Sequence, residues 1–459
     1  MTFIADSLAA FAADLAHDDI PAPVRRYAAH LMLDGVGIAL ASGTFDFAAQ
    51  ARGALATFEA GESPVIGQRQ RLPLRDAVLL NGILVHGLDF DDTHLTSVVH
   101  VTSSCLPTAL GAAVAAQCSG REMLSAYILG IETAARIGNI AAGELNQIGF
   151  HPTGVVAAFA CALIAGKLEG ASAEQLAMAQ GIALSMAAGT REYSADGSST
   201  KRMHPGWAGA CGITAARLAK HGFSGPRSAY EGQFGFFATH LGADLGKWDM
   251  AAATRELGHV WESARVAIKP VPACQLSIAC IDAAIALHRE HRDHRISAEM
   301  IESVEALVPP HAVKIVCEPV ERRRRPASRY AAQFSIQFQV ACALLHGRFG
   351  LAELERFADP QILALADRVS YRVDPHTDYP KHFSGEVIVT LKDGRRLAHR
   401  EPINRGAADN PLSEADIVAK FADNAALAHV RNADALYDMI VGIDSLDSAC
   451  ALGDALAGS

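Results

Sequence analysis

The chain has 459 residues, half of them hydrophobic, and 40 Lys and Arg against 50 Asp and Glu leave it a formal net charge of -10. That is an ordinary globular composition with enough apolar content for a large core and enough length for two or three domains, and its acidic balance argues against a nucleic-acid partner. The nine cysteines include no C-x-x-C pair, so neither a disulfide framework nor a cysteine zinc site is expected.

From residue 7 to about 265 the text is almost wholly helical in period, with Ala, Leu, Ile and Val stripes separated by Gly, Pro and short polar breaks. No charged leader precedes a signal-like apolar core, and the apolar runs break before reaching a membrane-spanning length, so the expectation is a cytoplasmic protein with no membrane partner. Residues 23–41 (PVRRYAAHLMLDGVGIALA) start on a proline suited to a first helical turn. Residues 72–88 (LPLRDAVLLNGILVHGL) have helical spacing, which predicts that His86 and Asp89, three apart, share a face near the helix end.

The stretch that follows concentrates the chemistry. Between Asn81 and Pro107 lie Asp89, Asp91 and Asp92 with His86, His94 and His100, set between two apolar segments. The three carboxylates divide into one reactive group and others that cap helices or hold an imidazole; Asp89 is favoured by its reach to His86. Ser103 or Ser104 is placed to cap the next helix, with Pro107 in its first turn, and the backbone N–H groups there would face an anion beside His100.

Further along, GFHPTGVVAAF (149–159) places His151 just before a buried helix, either satisfied by backbone or donating to an anion. Residues 172–188 open with Ser172 three before Gln175, a capping-box spacing. REYSADGSSTKRMHPGWAGACG (191–212) brings Lys201, Arg202 and His204 between a Gly/Ser-rich loop and a small-residue helix, and IKPVPACQL (268–276) sets Lys269 on a stiff, proline-bearing hinge that could close over a carboxylate.

Around Lys269 the texture changes. Residues 303–309, 313–319, 370–375 and 386–391 read as short β runs, Asp393-Gly394 carries a hairpin signal, and 331–345 and the run after Cys280 stay helical. An α+β domain is therefore expected here, with ERRRR (321–325) as a solvated loop and 413–456 returning as helices to the first domain. The domain limits are 1–267 and 406–459 for a mainly α, all-helical body and 268–405 for an inserted, smaller α+β lid.

HGLDFDDTH with a following His-x-Thr, then FHPTG, GSSTKRMHPGWA, KPVP and DNPLSEADIVAKF together resemble the MmgE/PrpD family over nearly the whole chain. The family includes 2-methylcitrate dehydratase, cis-aconitate decarboxylase and iminodisuccinate epimerase. The resemblance implies a homodimer with its active site between the helical body and the lid, with no metal and no organic cofactor. It assigns catalysis to Asp89, His100, His151 and Lys201, and substrate binding to Thr93, His204 and Lys269. Decarboxylase-like relatives read His-Pro-Ser where this chain has His100-Val101-Thr102, and a histidine where Cys274 stands, which lowers the decarboxylase reading.

The expected function is thus a cofactor-independent lyase of dehydratase type that abstracts a proton next to a carboxylate of a small hydroxy di- or tricarboxylate such as 2-methylcitrate. The alternative is epimerisation of an iminodisuccinate-like dicarboxylate. Ranked lower are decarboxylation, a metal-dependent hydrolase built on His86, Asp89, Asp92, His94 and His100, and an inactive binding protein. Lys201 and Lys269 count against the metal, because they would converge on it as unneeded positive charge.

Overall fold

A computed structural model describes residues 2–291 and 297–459. The chain forms two compact units, one of residues 1–268 with 413–459 and the other of residues 269–412.

The first unit is helix packed on helix. Ala22–Ser42, with Pro23 in its first turn, Val101–Ala115 and Pro152–Leu168 are buried around most of their circumference, which is why their sequences are apolar on every face. Ser172 caps Ala173–Leu184 through the expected box, accepting from Gln175 N at 3.3 Å while its own N–H donates to Gln175 Oε1 at 2.9 Å. Thr200–Lys220 crosses Leu74–His86 at a glycine pair, since a Cβ on Gly82 would lie 2.3 Å from Gly206 Cα and one on Gly206 would lie 2.1 Å from Leu79 O. Only glycine permits backbones this close. Strands are few: Ser63–Val65 pairs with Gln68–Leu72, and Thr93–His94 pairs antiparallel with Val266–Ala267.

The C-terminal stretch belongs to this unit as Glu414–Leu427, Ala433–Val441 and Ala449–Ala457. Ser413 starts it with a capping box to Asp416. Among the described residues no single helix is long and apolar enough to cross a membrane.

The second unit holds a four-stranded sheet ordered Val369–Val373, Ile301–Val308, Gly385–Leu391, Arg396–Glu401. The first pair is parallel and the other two antiparallel, and the last closes through a turn with Gly394 at φ 84°. Helices Ile278–Glu290 and Ile336–His346 pack on a core shared with Val304, Ala306, Val387 and Val389.

Three expectations change. Residues 313–317 are π-helical, not a strand, because five apolar-rich residues carry no decisive period. The helix at 331–345 breaks into Arg329–Ala332 and Ile336–His346. ERRRR lies largely in a short helix, where Arg323 donates to the carbonyls of Ile315 and Glu318.

Candidate active site

The helix Leu74–His86 ends at His86, and the chain then turns through Asp89 at φ 50°, a left-handed conformation uncommon for a residue with a side chain. Asp89 is therefore off the helix, with its backbone N–H donating to His86 O at 3.1 Å. His86 Nδ1 lies 2.8 Å from Asp91 Oδ2, while Asp89 Oδ2 accepts from Lys201 Nζ at 2.6 Å. Lys201 comes from the first turn of Thr200–Lys220, and Arg202 beside it donates to Gly87 O at 2.8 Å and stacks over Phe47.

His100 occupies the N-cap of Val101–Ala115. Its Nδ1 sits 2.8 Å from Asp92 O and 3.3 Å from Thr93 Oγ1, and its backbone N–H donates to Thr153 Oγ1 at 3.0 Å. A ring nitrogen that close to a carbonyl carries the proton, so neutral His100 has its lone pair on Nε2. The helix begins earlier than Ser103 or Ser104 would set it, because Asp92 caps it from across the loop: Thr102 N donates to Asp92 Oδ1 at 3.2 Å and Thr102 Oγ1 to Asp92 Oδ2. The helix start reserved for a substrate anion is thus taken by Asp92, and Pro107 lies inside the helix.

His151 caps Pro152–Leu168 and shares a 3.0 Å Nδ1 to Nδ1 contact with His204. Ring centroids are 4.7 Å apart for His86 and His100, 5.5 Å for His86 and His151, and 5.2 Å for His151 and His204. His86 Nε2 and His151 Nε2 are buried and make no hydrogen bond within the described residues. Asp89, Thr93, His100, His151, Lys201 and His204 therefore form one linked cluster in the first unit. Lys269 is buried and opens the second unit.

Burial decides most protonation states here. It pushes His86 down to about 4 against the pull of Asp91, pushes His204 down to about 4 with help from Lys201, and holds His151 well below the ordinary imidazole range, with His86 and Lys201 adding to the effect. Burial would raise Asp91, but the His86 and His100 rings outweigh it and keep Asp91 an anion. Burial drives Asp92 up to about 8 despite Thr102, with Asp91 and Asp34 pushing the same way. At neutral pH His86, His151 and His204 are therefore neutral imidazoles, beside the Lys201–Asp89 ion pair.

Nitrogens of His86, His100 and His151 approach within 4.8 Å of one another, as do ligand atoms of His86, Asp89, Asp91 and His100, so the donor types for a divalent metal are present. The Lys201 ammonium acts directly on His86 and His151 and works against a cation there. The hydrolase set fixed from sequence does not assemble, since His94 bonds Ser97 and Glu262 and Asp92 bonds Thr102. The sequence reading missed the His86–Asp91 pair, although the crowding of His86 against DFDD marked both.

The chain matches the model of the MmgE/PrpD N-terminal domain over residues 6–247 and that of the C-terminal domain over residues 271–439. It is 30% identical over 410 residues to the cis-aconitate decarboxylase of Mus musculus, covering 84% of this chain and 79% of the relative. It is 27% identical over 433 residues to the cis-aconitate decarboxylase-like protein oryM of Aspergillus oryzae, covering 89% and 87%. Against the cis-aconitate decarboxylase of Aspergillus terreus it is 26% identical over 457 residues, covering 95% and 92%. With both domain models matched in order along nearly the whole chain, this protein belongs to the MmgE/PrpD family and is an enzyme of that family's lyase type.

Proposed function

We propose that the enzyme is a cofactor-independent lyase that removes a proton from a carbon next to a carboxylate of a small di- or tricarboxylate. The observation that supports this most is the buried group of neutral imidazoles against the Lys201–Asp89 pair. A neutral imidazole takes a proton at neutral pH, and a fixed ammonium favours the enediolate that results. In this reading Lys201 holds a substrate carboxylate, His100 with Asp89 moves the proton, His151 serves as a second acid once it has taken a proton in the reaction, and Thr93 and His204 position the substrate. Lys269 adds a second cation from the smaller unit, which acts as a lid, and the enzyme works as a homodimer.

The preferred reaction is loss of water from a 2-methylcitrate-like hydroxy acid, with epimerisation of an iminodisuccinate-like compound as the alternative fate of the same intermediate. A second reading, decarboxylation of cis-aconitate, draws on the names of the relatives above. The test is incubation with citrate, 2-methylcitrate, cis-aconitate and iminodisuccinate in deuterated water, followed by proton NMR, with His100→Asn in parallel. Wild type is expected to give an olefinic product from 2-methylcitrate; loss of carbon dioxide from cis-aconitate would move the assignment to the second reading. His100→Asn should lose both turnover and deuterium uptake. Uptake that persists in it passes the proton to Asp89 or His151. No change in any of the acids with wild type would sink the lyase proposal.

A further inference from the structure

The loop that carries Asp89 and Asp91 is held by a residue from the other end of the chain. Lys420, on Glu414–Leu427, is buried; its Nζ donates to Phe90 O at 2.9 Å, lies 2.6 Å from Asp34 Oδ1, and sits 3.7 Å above the centre of the Phe90 ring. Asp34 is buried on Ala22–Ser42, and one turn further along that helix Gly37 meets Phe421, where a Cβ would lie 3.0 Å from Phe421 Cδ2 and 3.3 Å from Phe421 Cα. The missing side chain at Gly37 lets the two helices close, and the closure delivers Lys420 to the loop.

Neutralising Asp34 requires only the ion pair. The bond to Phe90 O and the ring contact are additional, and they fall on the residue between Asp89 and Asp91. Asp89 is held at φ 50°, a strained conformation that persists where surrounding contacts over-determine it. From that conformation Asp89 reaches Lys201 and Asp91 reaches His86.

We infer that Lys420 is a positioning residue for the reaction, fixing Phe90 O so that Asp89 and Asp91 stand on their partners. The inference rests on the proposed roles of those partners, but its test does not need a substrate. Lys420→Met alone removes this ion pair from the buried Asp34 and is expected to destabilise the fold. Lys420→Met with Asp34→Asn removes both charges, a change that is often neutral for stability.

The double variant should melt close to wild type, whereas its backbone amides from Leu88 to Thr93 should exchange with deuterium at least about tenfold faster. For whichever of the four acids wild type converts, kcat should fall at least about tenfold with KM little changed. Wild-type exchange in that segment overturns the proposal. So does a double variant that melts as low as Lys420→Met, which would make Lys420 a part of the fold only. If wild type converts none of the acids, the lyase proposal fails while the exchange measurement still decides this one.

Discussion

Lys201 and Arg202 are neighbours in sequence with opposite fates. The first turn of their helix points the ammonium at Asp89 and the guanidinium away, onto Gly87 O and the Phe47 ring. Lys201→Ala is therefore expected to raise KM for a polycarboxylate and lower kcat, with a combined loss on the order of 2 to 4 kcal/mol in kcat/KM. Arg202→Ala should cost less than about a tenth of that factor, and steady-state kinetics on both variants checks the contrast; equal losses would place the carboxylate on Arg202 or on the loop as a whole. The sequence located these residues because titratable groups crowd into two short stretches. It did not locate their pairings, which depend on Asp89 leaving the helix at a positive φ, so that its side chain meets Lys201 while Asp91 meets His86. No periodicity announces such a turn at an aspartate.

Elements built on strong local signals were legible, among them the Ser172 capping box, the strands at Ile301–Val308 and Gly385–Leu391, and the turn at Gly394. Residues 313–317 were not, being too short for period to decide. The most exacting element is Thr200–Lys220, whose small residues were visible as a pattern but not as a crossing. Gly206→Ala drives a methyl group to 2.1 Å from Leu79 O, and the backbone has no flexible end there to yield. A loss of about 2 to 4 kcal/mol is expected, with activity falling further because Lys201 and His204 ride on the same helix. Gly53, within Asp46–Leu55, has nothing within 4 Å of its would-be Cβ, so Gly53→Ala should be neutral or stabilise by about 0.5 kcal/mol. Thermal melts of the two variants side by side decide the matter, and a Gly206→Ala protein that melts like wild type would mean the crossing can relax.

At the scale of the whole molecule, the buried site contributes two opposed dependences of stability on pH. Folded His86 and His204, at about 4, and His151, lower than ordinary, hold fewer protons than unfolded histidine near 6.5, so their contribution is present above about 6.5 and lost as pH falls towards 4. Asp92, at about 8, holds a proton that an unfolded aspartate near 3.9 has released, so its contribution fades as pH rises from about 4 to 8. Three protons outweigh one on the acid side, and Asp92 acts alone among these groups on the other, which puts the maximum of their combined contribution near pH 6.5. Urea midpoints from pH 5 to 8 should show it, with a shallower acid limb in His204→Asn and a flatter alkaline limb in Asp92→Asn. Stability that climbs steadily to pH 8 would show Asp92 ionised in the fold.

The Lys420 contact to Phe90 spans 330 residues of chain, and this has a consequence for biosynthesis. A ribosome works from the N-terminus, so Asp34 and the loop at Phe90 emerge early, and the whole second unit is made before Lys420 appears. Until then the ion pair that neutralises Asp34 is unformed and the loop lacks its clamp. The first unit must wait, partly assembled, while a separate domain is made ahead of its C-terminal helices. A nascent chain stopped at residue 412 should be open at this loop and inactive.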